Sequence, residues 1–318
     1  MRFAFTDDQL AFRDAVRALL AKECTPDSVR AAWAAEPGRL DRRAWDSLEQ
    51  MGALSMLVPE AEGGLGLDFR SLVLVLEETG RAALPHPVVE TAAVAAPLGV
   101  GGRMVAASFG GGPISCAADA DALLVDDGGV LRLHTPDQIV IEPVSGIDGA
   151  RRLARVTTLR AGGQILTEDP AALAAAFDRG ALGTAAQLIG LAQAMLDLTV
   201  DYAKERRQFG VPIGSFQAVK HHLADALKGL AFARPAVYRA AFSLATAAPT
   251  VTRDVSMAKA MASDAAAFVG RQALQCHGAI GYTVEHDLHL YMKRSWALGR
   301  AWGDPLWHRD RVARELGI

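Results

Sequence analysis

Four long alanine- and leucine-rich runs fill the second half of this 318-residue chain: 171–203, 217–247, 252–277 and 285–301. The breaks between them are short, at Gly210, at Pro249 and from Gly278 to Gly281. Runs of this length with such connections must lie antiparallel against one another, because each has an apolar stripe that only a neighbouring helix can cover. An up-down four-helix bundle is the expectation. With 51% hydrophobic residues, the chain has ample material for that bundle and for further packed layers.

Upstream the pattern is also helical, over residues 1–98. Leu10, Val16, Leu19 and Leu20 recur at helix spacing, and Thr6 with Gln9 forms a capping box at the start. A second helix is expected over 42–51, ending at Gly52, and a third over 69–81, stopping at Pro85-His86-Pro87. Between them, Leu57-Val58-Pro59-Glu60-Ala61-Glu62-Gly63-Gly64-Leu65-Gly66 must be a loop, since proline and three glycines break any period. The stretch 99–170 differs: it carries glycine-rich turns and short β-prone runs at 104–109, 122–125, 130–133 and 138–143, with Asp127-Gly128-Gly129 as a hairpin signal. The expected architecture is mainly α with a small β domain: an N-terminal helical domain (1–98), a β domain (99–170) and a C-terminal four-helix bundle (171–318).

Charge excludes some functions. A formal net charge of -3, with lysines and arginines dispersed, leaves no basic footprint for nucleic acid or for an anionic membrane surface. The most apolar region, 82–100, is interrupted by His86, Glu90 and three prolines, and the first eight residues carry two acids and no apolar core of a secretory signal. Cys24, Cys116 and Cys276 are far apart, suggesting neither a disulfide framework nor a metal site; a cytoplasmic location is the expectation.

Two segments carry chemistry. In Tyr202-Ala203-Lys204-Glu205-Arg206-Arg207-Gln208-Phe209-Gly210, a helix ends in a cationic turn followed by an aromatic residue and a glycine. That is an ordinary helix C-terminus, or a guanidinium beside a flat ring suited to a phosphate on an aromatic group. The second runs from Leu274 to Tyr291, where Gly278 and Gly281 permit close backbone approach to a ligand. His277, His286 and His289 with Glu285 and Asp287 suggest a metal only superficially, since acids belong at a helix start and nothing in the sequence fixes His277 beside the others. No Gly-x-Gly-x-x-Gly, Walker loop or Gly-x-Ser-x-Gly elbow is present.

Three motifs in order resemble the acyl-CoA dehydrogenase family: Val58-Pro59-Glu60-Ala61-Glu62-Gly63-Gly64-Leu65-Gly66, Glu205-Arg206-Arg207-Gln208-Phe209-Gly210, and Gln275-Cys276-His277-Gly278-Ala279-Ile280-Gly281-Tyr282. The resemblance covers roughly residues 5–98 and 177–318. It implies FAD at a subunit interface, with Arg206 on the pyrophosphate, Gln208 and Phe209 lining the same cofactor, and Gln275, Gly278 and the backbone of Ala279 at the adenosine end. It also implies α,β-desaturation of an acyl-CoA thioester: a glutamate removes the α-proton while the flavin accepts hydride from the β-carbon.

The departures from the family pattern are as informative. Counting back from Val312-Ala313-Arg314-Glu315 places Trp302 where the family most often has its glutamate. The other family position falls in Phe177-Asp178-Arg179-Gly180-Ala181, with Gly180 in place of the glutamate. The short middle segment also lacks the strands that wrap the flavin ring and thioester in full-length members. By resemblance, then, no catalytic residue is expected here. The chain is expected to pair with a full-length homologue in a two-plus-two heterotetramer, as in bacterial degradation of steroid side chains, with acyl-CoA held mainly by the partner and an electron-transfer flavoprotein or similar acceptor taking the electrons.

Two alternatives stand beside this reading. The chain is an autonomous homo-oligomeric dehydrogenase using Asp304 as base, with Asp178 a lesser candidate, although Asp304-Pro305 reads as a helix start. Or it is a non-catalytic helical scaffold, which would have no need of Arg206, Phe209 and Gln275. Trp302 and Trp307 read as core or interface anchors, and a Trp302 projecting into a vestigial acyl pocket would block thioester entry.

Overall fold

A computed structural model describes residues 4–158 and 162–318. Helix α1 (Asp7–Glu23) opens with the expected capping box, the Thr6 hydroxyl accepting from the Gln9 amide and the Gln9 side chain accepting from the Thr6 amide. Helix α2 (Pro26–Ala34) was missed by periodicity; it is capped by Thr25 and has proline at its first position. Helices α3 (Arg43–Gln50) and α4 (Phe69–Arg81) stand where the pattern places them. The apolar stretch that follows contains a π-helical turn, Val89–Ala95.

Six strands come next: β1 (Val105–Ser108), β2 (Ala122–Asp127), β3 (Val130–His134), β4 (Ile139–Pro143), β5 (Ala154–Thr158) and β6 (Gln164–Thr167). They form a four-stranded sheet in the order β1-β2-β3-β6, with β1 parallel to β2 and the other pairs antiparallel, and a separate β4-β5 ribbon. The β2–β3 turn is Gly128-Gly129, both at positive φ, as a tight hairpin requires. Alternation decides what each face meets. Val105, Ala122 and Leu124 pack toward the π-turn residues Val94 and Ala95 and toward Ala176, whereas Ala106 and Leu123 pack toward Ile139 and Ala154 of the ribbon.

The rest is helical: α5 (Pro170–Glu205), a two-residue-strand hairpin β7 (Arg207–Gln208) and β8 (Val211–Pro212), then α6 (Gln217–Ala245), α7 (Val251–His277), α8 (Leu288–Arg300) and α9 (Pro305–Leu316). Helix α5 is long and apolar enough to cross a membrane, a property the sequence reading overlooked in favour of 82–100, but most of its apolar window is buried inside the protein. It runs through the main core, packed on α4, α6, α7 and α8. Its approach to α4 is backbone-close: a Cβ at Gly190 would stand 1.9 Å from the Glu77 carbonyl oxygen, and one at Gly80 would stand 2.1 Å from that of Gln187.

Polar contacts tie the layers together. The Arg179 guanidinium donates to the Ala93 carbonyl of the π-turn at 2.9 Å. On the far side, Arg294 of α8 pairs with Asp148, both nearly inaccessible, and also donates to the Leu84 carbonyl at 2.7 Å. This ion pair fixes the segment between β4 and β5 against both helical regions.

Candidate functional site

Antiparallel packing brings the C-terminal ends of α5 and α7 to the same end of the bundle. Tyr202 and His277 stack there with ring centroids 4.4 Å apart, joining the two ligand loops that the sequence singled out. No local spacing places His277 beside the other histidines, yet His286 packs edge-on against it at 4.5 Å. The His277 Nδ1 is engaged with the Ala273 carbonyl at 2.8 Å, and burial pulls the His277 and His286 imidazoles below their usual pKa. His289 lies apart, edge-on to Trp33 at 5.4 Å. Among the described residues no three His, Cys, Asp or Glu side chains converge as a metal site; the histidines pack as aromatic rings.

Arg206 caps α5, its amide bonded to the Tyr202 carbonyl at 2.8 Å, and its carbonyl accepts the Ile213 amide across the small hairpin. The hairpin turn is Phe209-Gly210, with φ of +52° and +82°. Phe209 is 93% exposed, meeting only Phe216 edge-on. The two-residue hairpin requires positive φ at both positions, so the turn accounts for the backbone; the exposure of the ring is what packing leaves open. Arg206, Gln208, Gln275, Gly278 and Ala279 are exposed at the same end, and the Arg206 and Gln275 side chains make no hydrogen bond or ion pair among the described residues. Gly278 has φ +64° and ψ -140°, a conformation for glycine alone, with nothing within 4 Å of a Cβ built there. An unpaired guanidinium, an exposed ring and an open glycine loop fit a flavin dinucleotide's phosphate and adenosine portions.

The second feature lies where α5, α9 and the β region meet. A Cβ at Gly180 would fall 2.5 Å from the six-membered ring of Trp302, so the two positions compared with the family's glutamate are in contact and fill each other. Phe109 at 5.0 Å and Phe177 at 5.8 Å complete an aromatic cluster around the indole. Trp302 has φ +56°, a costly conformation for a bulky side chain. Its carbonyl accepts from His308 Nε2 at 2.8 Å.

Three ionisable groups around this cluster were not singled out in the sequence. Glu90, which read only as an interruption of an apolar stretch, projects from the π-turn. Burial pushes its carboxyl above the usual range, opposed by its own backbone N–H, the Arg151 charge and the Trp302 indole. Lys259, in the apolar run Ala258-Lys259-Ala260, is fully inaccessible, and burial draws its ammonium down to about 7. His308 is likewise buried and drawn down to about 4. A lone lysine in an alanine-rich helix was the available signal.

The two alternative bases are in structural employment. Asp304 is the N-cap of α9, accepting the Trp307 amide at 2.9 Å, and that bond holds its carboxyl below the usual range. A base for α-proton removal near neutral pH needs the opposite shift. Asp178 is buried, paired with Arg311 at 2.5 Å and accepting from the Thr252 hydroxyl at 3.3 Å.

Comparison with known families matches residues 6–108 to the acyl-CoA dehydrogenase N-terminal domain and residues 170–317 to the acyl-CoA dehydrogenase C-terminal domain. The chain belongs to the acyl-CoA dehydrogenase family, whose members are FAD-dependent oxidoreductases. Among its relatives, "Acyl-CoA dehydrogenase IpdE2" of Mycolicibacterium smegmatis is 36% identical over 98% of this chain and 99% of its own, and the Mycobacterium tuberculosis protein of the same name is 35% identical over 91% of each. Among solved structures, the "Tcur3481-Tcur3483 steroid ACAD" superposes with a TM-score of 0.85 at 26% identity over 98% of both chains. The fold is shared with the ChsE4-ChsE5 complex from Mycobacterium tuberculosis, TM-score 0.86 at 24% identity, covering 100% of this chain and 99% of that one.

Proposed function

We propose that this chain is the base-less subunit of a heteromeric acyl-CoA dehydrogenase, a two-plus-two assembly with a full-length homologue. The observation that carries the reading is the contact of Trp302 with Gly180, which leaves neither position able to hold a carboxylate against a substrate. The lone pair of an indole nitrogen is part of the aromatic system and cannot take an α-proton, and a thioester entering at position 302 would meet the Phe109–Phe177–Trp302 cluster. The FAD of such an enzyme supplies hydride acceptance from the β-carbon.

This chain's residues then have a binding task. Arg206 neutralises pyrophosphate charge, Gln208 and Phe209 cover the dinucleotide, and Gln275 with the Gly278-Ala279 backbone holds the adenosine end. The partner supplies the flavin-ring pocket, the catalytic glutamate and most of the acyl-CoA contacts. An electron-transfer flavoprotein or similar acceptor reoxidises the complex, in the cytoplasm. One solved structure, 26% identical, is titled a steroid ACAD and carries two component names; it supports a steroid-derived thioester and an unlike partner.

Co-expression with a full-length homologue tests this. The purified complex should have a native mass of two plus two and contain one FAD per heterodimer. Two FAD per heterodimer would contradict the reading. A homo-oligomeric enzyme using Asp304 gains no support from a carboxylate that caps a helix, and a cofactor-free scaffold does not account for the unpaired Arg206 and exposed Phe209.

A further inference from the structure

Lys259 reaches from the middle of α7 to the turn between α8 and α9. Its amine donates to the Gly299 carbonyl at 3.1 Å and to the Gly303 carbonyl at 3.1 Å. A third contact goes to the Ser263 hydroxyl at 3.2 Å, while that hydroxyl donates to the Lys259 carbonyl at 2.7 Å. The two carbonyls bracket residue 302. Between them the chain leaves α8 at Ala301, enters left-handed backbone at Trp302 and Gly303, and restarts at the Asp304 cap.

A non-glycine residue in that conformation persists only where its surroundings over-determine it. Side-chain packing supplies part of the constraint, through Phe109, Phe177 and the bare face of Gly180. The backbone on both sides needs its own. Gly299 and Gly303 offer no side chain to hold it, and both are half-buried, so a protein donor to their carbonyls replaces water that reaches them only in part. Lys259 answers both carbonyls with one side chain, and His308 answers the Trp302 carbonyl between them. A neutral amine retains two N–H donors, so the clamp closes in either protonation state.

We propose that Lys259 is the positioning residue of position 302: a buried amine that clamps the backbone on either side and thereby holds the Trp302 indole in the acyl pocket. The proposal rests on position 302 being the seat from which the family's base is missing here. Its test reads the indole and its coupling to the lysine, not cofactor content, so it fails separately from the heteromer reading.

The test is a double-mutant cycle by urea unfolding on the purified chain, with Lys259→Met and Trp302→Gly. Glycine adopts the left-handed backbone without strain and has no ring to hold. Lysine removal should therefore lower the folding equilibrium constant at least ~10-fold less in the Trp302→Gly background than in the parent. If Lys259→Met folds only in the Trp302→Gly background, that is the same coupling in its strongest form. In 5-fluorotryptophan-labelled protein, Lys259→Met should shift and broaden the Trp302 fluorine resonance while those of Trp33 and Trp45 stay in place, and Ser263→Ala should leave all of them unmoved. Equal losses in both backgrounds, failure to fold in both, or an unmoved Trp302 resonance in folded Lys259→Met would overturn the proposal, because the lysine would then serve the fold at large.

Discussion

The ring of Trp302 lies against the bare α-carbon of Gly180: a methyl group added at 180 would stand 2.5 Å from the indole. Together with Phe177 on the same indole, this contact joins α5 to the α8–α9 turn.

Gly180→Ala is therefore expected to destabilise the chain although the site is helical. Helix propensity favours alanine by up to about 1 kcal/mol, but a Cβ forced against a caged ring costs about 1–3 kcal/mol. The net loss should appear in urea unfolding and disappear when Trp302→Ala is added, since the two changes share one space.

Gly190→Ala should be worse. Its Cβ would meet the Glu77 carbonyl oxygen at 1.9 Å and the Arg81 amide nitrogen at 2.5 Å, and helix backbone cannot yield as a side chain does. A loss of about 3 kcal/mol or more is expected, at the upper end of overpacking costs, read as a lowered thermal midpoint.

Removing one member of the Asp148–Arg294 pair leaves the other buried without its counter-ion. Asp148→Asn should cost about 3–5 kcal/mol, whereas replacing both by apolar residues of similar size should cost much less. Arg43–Asp41, exposed on both sides, serves as the control, and its removal should leave the unfolding midpoint nearly unchanged because water screens the pair.

Stability should fall on mild acidification. His308 and His86 are each drawn from 6.5 down to about 4 by burial. Because the folded state disfavours the imidazolium, the unfolded chain binds more protons between pH 4 and 6.5. The stabilising contribution of each histidine is full above pH 6.5 and is lost as pH falls toward 4, up to about 3 kcal/mol apiece. Unfolding free energy at pH 7.5 and pH 5 checks this, and His308→Gln should flatten the slope.

Arg206→Ala and Gln275→Ala should leave the unfolding midpoint of the isolated chain unchanged, because neither side chain has a hydrogen-bond or ion-pair partner among the described residues. In the assembled enzyme each should lower retained FAD, Arg206→Ala more strongly because it removes a charge-assisted contact.

The sequence made the elements with local signals legible. The capping box at Thr6, the helix from Phe69 to Arg81 and the Gly128-Gly129 turn are each specified within a few residues. Helix α2 carried its own signal in Thr25-Pro26-Asp27 but is only nine residues long, too short for periodicity to register. Strands β5 and β6 escaped because Arg155, Gln164 and other polar residues face outward, weakening the alternation. The π-turn repeats on neither the helical nor the strand period, so Glu90 looked like an interruption when it is a half-buried carboxyl facing Trp302.

At the candidate site, the motifs located Arg206, Gln208, Phe209, Gln275, Gly278 and Ala279, and the structure brings their loops to one end of the bundle. The absence of a glutamate at 180 and 302 was also readable. That these positions touch was not, because their contact spans 122 residues of sequence and depends on helix packing. The same holds for His277 against His286 and for Lys259 beneath the 299–303 turn: each contact is made by tertiary structure, with no local spacing to announce it.

The most direct test is anaerobic titration with acyl-CoA, comparing the lone chain mixed with FAD against the complex formed with a full-length homologue. The account predicts bleaching of the bound flavin in the complex and none in the lone chain at any acyl-CoA concentration. A lone preparation that is yellow and bleaches on addition of thioester would contradict it, because a proton acceptor would then have to exist within this polypeptide.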